Sequence, residues 1–353
     1  MSGLARDPKS LLVTGGAGFI GSAFIRHLLG PAGFAGRIVN LDVLSYAGNP
    51  DNVASVAGDA RYTFRRGDIA DGELVLELVE KHAVDCIVHF AAESHVDRSI
   101  VAPDAFLTTN VIGTFRLLEV VRKQPHVHFH HVSTDEVYGS LGPTGAFRED
   151  TPYQPNSPYS ASKAASDHFV RAYAHTYGLS TTVSNCSNNY GPHQFPEKLI
   201  PLMILNLFEK KALPVYGDGL YVRDWLHVDD HAEALWSIVR SGRAGETYAV
   251  GGEGERSNLD ILRLLIACVA EQTGGAAAEL ERLITYVKDR PGHDRRYAID
   301  FSKLRGELGW APRRDLATGL AETVRWYASN HDWVERVRTG AYRAWLETNY
   351  AGR

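Results

Sequence analysis

Leu11-Leu12-Val13-Thr14-Gly15-Gly16-Ala17-Gly18-Phe19-Ile20-Gly21 runs from a short apolar strand pattern through a glycine turn into a helical stretch, Ser22 to Leu29. Glycines at 15, 18 and 21 let the backbone turn sharply, let a diphosphate approach it, and let the helix pack closely on a sheet. The helix N-terminus adds a partial positive charge that attracts the phosphates. A glycine triplet alone is a weak signal, but here a strand precedes it and a helix follows.

The segments downstream repeat the strand and helix alternation. Arg37-Ile38-Val39-Asn40-Leu41-Asp42 reads as a second strand ending in an acid 21 residues beyond Gly21. A carboxylate there accepts hydrogen bonds from an adenosine ribose and repels a 2′-phosphate, which favours NAD over NADP. Tyr62 to Arg66 reads as a third strand closing on Gly67-Asp68-Ile69, where Asp68 either reaches the adenine edge or caps the next helix. Asp85 to Ala92 is a nearly continuous apolar run, expected of a parallel strand covered on both faces. Glu93-Ser94-His95-Val96-Asp97-Arg98 follows it, and loops at the carboxyl ends of such strands bind ligands. In the next helix pattern, about Pro103 to Lys123, Asn110 is polar amid apolar neighbours. It is either a cofactor-side contact or a residue satisfied by backbone.

The chemistry concentrates where a fifth strand ends. Val132-Ser133 delivers Thr134, Asp135 and Glu136 to the same sheet edge as the glycine turn, and Ser157-Pro158-Tyr159-Ser160-Ala161-Ser162-Lys163 opens a helix nearby. Asn156 or Ser157 can cap that helix, with Pro158 in its first turn. Tyr159 and Lys163 are four residues apart and project from one helix face. A nearby ammonium lowers a phenol's pKa, so the tyrosine is expected to act as a base towards an alcohol being oxidised. Two adjacent carboxylates discourage each other from ionising, which separates them into an acid and a base. Read in isolation, Asp135 and Glu136 are a turn, and Tyr-x-x-x-Lys an exposed helix pair. His126, His128 and His130 alternate along the lead-in to this strand, but no carboxylate or cysteine follows with ligand spacing, so no metal site is expected.

Composition sets the outer bounds. The chain has 353 residues, 44% hydrophobic and 22% charged, with a net charge of -5. That is ordinary globular composition, and without a lysine or arginine block nothing points to nucleic acid or an anionic membrane. Cys86, Cys186 and Cys268 are far apart in apolar segments and read as buried thiols of a reducing compartment. Met1 to Ser10 lack an apolar leader core, and no apolar run approaches a membrane span, so a cytoplasmic protein is expected.

After a sixth strand, Ser180 to Asn185, and the run Cys186-Ser187-Asn188-Asn189-Tyr190-Gly191-Pro192, the alternation breaks down. The expected architecture is α/β, a Rossmann-type doubly wound parallel sheet with a smaller C-terminal substrate-binding lobe. Residues 1–192 form the NAD-binding part, with 223–252 returning to it, and 193–222 with 253–353 form the lobe.

Four stretches together resemble the extended short-chain dehydrogenase/reductase superfamily and, within it, the nucleotide-sugar 4,6-dehydratases that act on dTDP-glucose. They are Ala91 to Ser99, Ser133 to Gly139, Asn188 to Pro192, and Asp289-Arg290-Pro291-Gly292-His293-Asp294. The resemblance implies dehydration of dTDP-glucose with NAD as cofactor, in a homodimer joined through helices near 103 to 123 and 157 to 177. It implies a catalytic set of Thr134, Asp135, Glu136, Tyr159 and Lys163. NAD contacts are implied at Phe19, Ile20, Asp42, Asp68, Ile69, Ala91, Asn110, Lys163 and Asn189, beside Gly15, Gly18 and Gly21. Sugar-nucleotide contacts are implied at His95, Thr134, Asn188, Lys198, Leu199, Pro214, Tyr216, Arg223, Asn258, Arg290 and His293. Arg223 and Arg290 suit a diphosphate, and Tyr216 offers a ring to the base. Competing readings are a 4-epimerase, a dehydratase of another nucleotide sugar, and a dinucleotide-sensing regulator without catalysis.

Overall fold

In the computed structural model, which describes residues 5–289 and 292–338, the apolar strand patterns assemble into one seven-stranded sheet. Its strands are β1 (Ser10–Thr14), β2 (Arg37–Asp42), β3 (Tyr62–Arg66), β4 (Cys86–His89), β5 (His128–Thr134), β6 (Thr181–Cys186) and β11 (Thr247–Val250). Their order is β11-β6-β5-β4-β1-β2-β3, and every neighbouring pair is parallel. The chain leaves β1 first to one side, through β2 and β3, and then to the other, through β4. Such a reversal opens a crevice at the carboxyl ends of the strands.

The helices of the N-terminal part are α1 (Phe19–Leu29), α2 (Gly72–Lys81), α3 (Val96–Val101), α4 (Pro103–Phe106), α5 (Thr114–Lys123) and α6 (Pro158–Tyr177). Beyond them lie α7 (Leu199–Phe208), α8 (Val228–Ser241), α9 (Asn258–Thr273), α10 (Ala277–Glu281), α11 (Ser302–Leu308), α12 (Leu316–Ser329) and α13 (His331–Val337).

Alternation along each strand sends neighbours to opposite faces. Leu12, Val39, Ile87 and Phe129 face one way and pack with Val75 of α2, Leu117 of α5 and Val170 of α6. Leu11, Val13, Ile38, Cys86 and Val88 face the other way, against Phe24 and Ile25 of α1 and Leu235 of α8. Both faces are therefore covered, which is why these strands read as unbroken apolar runs.

The single helix expected over 103–123 is broken. Between α4 and α5, Leu107–Gly113 winds as a wider π-helix. The carbonyl of Asn110 is claimed there by the hydroxyls of Thr114 at 2.6 Å and Ser166 at 2.7 Å, which compete with the regular helical ladder.

The rest of the chain adds three two-stranded pairs: β7 (Asn188–Tyr190) with β10 (Trp225–His227), β8 (Leu213–Tyr216) with β13 (Ile284–Val287), and β9 (Val222–Arg223) with β12 (Arg256–Ser257). A second core joins Ile204 of α7, Leu265 of α9, Val324 of α12 and Trp333 of α13. Ile299, Phe301, Leu304 and Trp310 pack instead with Tyr248 and Val250 of β11, so the chain touches the main sheet again after residue 253. His128 and His130 are spent on hydroxyls of the β6 side, Ser180, Thr182 and Ser184, while His126 is exposed. Cys86 and Cys186 are buried thiols, whereas Cys268, expected to be buried, is half-exposed on α9.

Candidate active site

The glycine turn is shaped by steric exclusion. Gly15 has φ +72°, and a Cβ on it would lie 2.6 Å from the backbone nitrogen of Ala91. One on Gly21 would lie 2.4 Å from the carbonyl oxygen of Gly15. Only glycine fits at either point, and the turn stays a bare backbone cradle of the kind a diphosphate needs. Asp42, at the end of β2, accepts from the amides of Ala17 at 2.9 Å and Leu44 at 2.8 Å, fixing its carboxylate beside the turn. These two bonds leave acceptor positions on each oxygen for ribose hydroxyls.

A cavity of about 320 Å³ opens from this turn across the sheet edge. Gly15, Gly18, Phe19, Ile20, Gly21, Asp42, Asp68, Ile69, Ala91, Lys163 and Asn189 line it, together with Thr134, Asp135, Glu136, Tyr159, Asn188 and Lys198. Asp68 is not the helix cap, because Asp71 caps α2 through the amide of Leu74 at 3.0 Å.

Thr134 ends β5 and caps a short 3₁₀ helix, Asp135–Tyr138, its hydroxyl accepting from the amide of Glu136 at 3.3 Å. The same hydroxyl donates to Asp135 Oδ1 at 3.3 Å. Asp135 is 2% exposed, and its Oδ2 has no hydrogen-bond partner among the described residues. Burial, reinforced by the charges of Glu136 and Asp224, pushes its carboxyl well above the usual range, against the pull of Arg223. Asp135 is thus held as the neutral acid, and Glu136, next to it, is half-buried on the cavity wall.

Helix α6 starts where expected. Ser157 caps it, in a reciprocal box with Ser160, and Pro158 occupies the first turn. The helix presents Tyr159 and Lys163 to the cavity, but the two do not interact as their spacing suggests. Lys163 Nζ donates to the carbonyl of Val132 at 2.9 Å and lies 3.3 Å from His131 Nε2. Burial pulls this ammonium down to about 8. The Tyr159 phenol was expected to be acidified by Lys163. Instead burial pushes it well above its usual value, with the charge of Glu136 adding to the effect and a hydrogen bond with Thr134 opposing it. The hydrogen bond of the lysine goes to the end of β5.

Asn110 stands behind the cavity wall. Its amide accepts from the backbone of Glu93 at 2.9 Å and donates to the Glu93 carbonyl at 3.0 Å and to Ser162 Oγ at 2.8 Å. It ties the loop after β4 to α6, and its neighbour Thr109 lines the cavity instead.

The sugar-nucleotide residues divide into groups. Lys198 reaches the carbonyl of Ser94 at 3.1 Å from the main cavity. Leu199, Pro214, Tyr216 and Asn258 line a second, smaller hollow with Met203 and Ile261. His95 lies outside both; it is 5% exposed and caps α3 through the amide of Arg98. Arg223 is buried over the Tyr297 ring at 4.2 Å, donating to the carbonyls of Val222 and Asp294. His293 stacks on Tyr221 at 3.8 Å, with Nδ1 2.7 Å from Asp289. Arg290 lies outside the described residues.

One cluster gives no sequence signal. Arg98 lies 3.8 Å from the ring centroid of Tyr46 and 3.3 Å from the buried Glu197, and Tyr46 meets Phe195 edge-on at 5.8 Å. The loop after β2 thereby touches the segment before α7, although no spacing rule links residues so far apart.

Comparisons with known proteins identify the family. The family model described as GDP-mannose 4,6 dehydratase matches residues 12–323. A dTDP-glucose 4,6-dehydratase of Xanthomonas campestris pv. campestris (strain B100) is 54% identical over 342 residues, covering 94% of this chain and 97% of its own. The crystal structure of a dTDP-glucose 4,6-dehydratase from Streptomyces venezuelae with NAD bound matches with TM-score 0.87 at 48% identity, covering 93% of this chain and 99% of that one. A UDP-glucose 4-epimerase of Thermotoga maritima shares the fold, with TM-score 0.81, but only 28% of the sequence over 91% of this chain and 99% of its own. The chain therefore belongs to the GDP-mannose 4,6 dehydratase family and, within it, to the dTDP-glucose 4,6-dehydratases.

Proposed function

We propose that the five side chains gathered after β5 and at the start of α6 divide the acid and base work of the reaction between them. The chain is an NAD-dependent hydro-lyase that converts dTDP-glucose to dTDP-4-keto-6-deoxyglucose. The observation carrying the role assignment is that Thr134, Asp135, Glu136, Tyr159 and Lys163 all face the cavity that starts at the glycine turn.

Bound NAD supplies a hydride acceptor for C4 that later serves as the donor to C6, together with a positive ring charge. Tyr159 takes the proton of the sugar 4-hydroxyl, with Thr134 hydrogen-bonded beside it. Lys163 holds a positive charge at the same wall. Once C4 is a ketone, the C5 proton is acidic, and Glu136 removes it. Asp135, kept neutral by burial, gives its proton to the 6-hydroxyl, which leaves as water. One fixed pose must serve both carbons, which is why the walls need to be rigid.

The sugar nucleotide is assigned to Lys198 and the hollow of Leu199, Pro214, Tyr216 and Asn258, with the base near Tyr216. Lys198 lines the cavity and the adjacent Leu199 lines the hollow, so the two spaces adjoin. Arg223, Arg290 and His293 are assigned to the diphosphate side, and Asn188 and His95 to the sugar side. Residues 1–192 with 223–252 are assigned to cofactor binding, and 193–222 with 253–353 to the sugar nucleotide. The position of β11 on the edge of the main sheet supports this division, while the packing of 299–310 on that strand blurs it.

A homodimer is proposed through the helices near 103 to 123 and 157 to 177, the first of them extended by the adjoining segment 96–102. Val101 is 81% exposed and Leu107 58%, with Ile100, Ile112, Phe169 and Tyr177 exposed beside them. No helix among the described residues is long and apolar enough to cross a membrane. The unpaired thiols Cys86 and Cys186 support a reducing, cytoplasmic location.

Incubation with dTDP-glucose deuterated at C4 tests the reaction. The label is expected at C6 of a 6-deoxy product; label returned to C4 of an unreduced hexose would identify an epimerase instead.

A further inference from the structure

Tyr159, Lys163 and Asp167 succeed one another at intervals of four residues and share one face of α6. Asp167 does not reach the cavity. Its carboxylate is 0% exposed and is surrounded by polar groups from several segments. Oδ2 accepts from Ser133 Oγ at 2.8 Å, the Tyr153 hydroxyl at 2.9 Å and Asn185 Nδ2 at 3.1 Å. Oδ1 lies 3.2 Å from His131 Nε2, the same nitrogen that stands 3.3 Å from Lys163 Nζ.

Burial alone would protonate such a carboxyl. The neighbouring His131 and the charge of Lys163, with the hydrogen bond from Ser133, outweigh it and hold Asp167 below the usual carboxylate value. Burial pulls His131 down to about 4, so its ring is neutral and carries one proton. Either tautomer is uncharged, and Nε2 stands between the two charged groups, 3.3 Å from Lys163 Nζ and 3.2 Å from Asp167 Oδ1. The imidazole therefore leaves the carboxylate's charge uncancelled. The other titratable groups facing the pair are His89 from β4, Cys186 from β6, and Tyr138 and Tyr153 at the carboxylate end. Burial keeps all four in their neutral forms.

A buried ammonium without a counter-charge sheds its proton readily. We infer that Asp167 is a positioning residue of the dehydratase: acting across His131, it is the counter-ion that keeps Lys163 an ammonium at the active-site wall. The inference rests on the role given to Lys163 above. A residue serving only to join α6 to the sheet has no need of a charge, because the single oxygen of an amide of equal size can accept from Ser133, Tyr153 and Asn185 as Oδ2 does.

Two measurements on the holoenzyme test it. In Asp167→Asn the alkaline limb of the kcat profile is expected to move to lower pH by about one to three pH units, with activity retained on its acid side. A lowered plateau with the limb unmoved overturns the inference, since that is how a purely structural role behaves. The second is a thermal-unfolding cycle of Asp167→Asn, Lys163→Met and the double variant at neutral pH. Asp167→Asn is expected to lower Tm far more in the native background than in the Lys163→Met background, and equal lowering in both overturns the inference. Should the single variant not fold, the double variant is expected to fold, and its failure counts against the pairing. This cycle involves no turnover, so its outcome is independent of whether the catalytic roles are assigned correctly.

Discussion

Lys163 is hydrogen-bonded to the carbonyl oxygen of Val132 at 2.9 Å, which ties α6 to the end of strand β5. Burial and the charge of Glu136 hold the phenol of Tyr159 in its protonated form. Tyr159→Phe should slow sugar oxidation by about 10²–10⁴-fold, the usual contribution of a positioned base. The ultraviolet absorbance of reduced cofactor in a single turnover reads this step directly, and an unchanged rate would remove Tyr159 from the base role.

Glu136 is half-buried and faces the same cavity. Glu136→Gln should leave the first hydride transfer intact while slowing exchange of the C5 proton with deuterated solvent. Exchange at the normal rate in this variant would mean that another group takes the proton.

Asp135 carries two separable predictions. As the acid that releases water, Asp135→Asn should slow turnover of glucose much more than turnover of a 6-fluoro analogue, whose leaving group needs no proton; equal slowing contradicts the acid role. The second concerns stability. The folded-state value of this carboxyl is raised above its ordinary 3.8, so its favourable contribution is present below that value and is lost as pH rises through the raised one. Asparagine cannot ionise. Asp135→Asn should therefore raise Tm, by an amount that grows between pH of about 4 and neutrality, and a pH-independent change would contradict the burial effect.

Asn110 joins the loop after β4 to α6 through three side-chain hydrogen bonds. Asn110→Ala strands buried partners and should cost about 1–3 kcal/mol in chemical denaturation. Weakened NAD binding at unchanged stability would return this residue to the cofactor wall.

The exposed apolar side chains of Val101 and Leu107 lie on the helical run 96–113. If two copies meet there, Val101→Glu combined with Leu107→Glu should convert the dimer to monomers in sedimentation velocity. A species of unchanged size would place the interface elsewhere.

The sheet was legible because its central strands β1 and β4 are buried on both faces, so Leu11 to Thr14 and Asp85 to Ala92 announce themselves without help from the rest of the chain. Asp135, Glu136, Tyr159 and Lys163 were legible because short spacings tied them to a strand end and a helix start. What escaped depends on groups distant in sequence. Asn110 was ambiguous until Glu93 and Ser162 appeared as its partners. The direction taken by the lysine could not be read from an i, i+4 interval, since the competing acceptor is a backbone carbonyl 31 residues earlier. Arg98, Tyr46 and Glu197 meet only when the fold brings together loops from either side of the cavity.

The 3₁₀ helix after Thr134 has a last consequence. Successive residues in such a turn are rotated by about 120°, so Asp135 and Glu136, though adjacent and both on the cavity wall, differ in surroundings: Asp135 is almost wholly buried, Glu136 half-exposed. The difference in burial between the two carboxylates is thus inscribed in the order of two letters. Exchanging them, Asp135→Glu with Glu136→Asp, conserves composition and net charge yet forces the longer arm into the more buried position and withdraws the shorter one from the cavity.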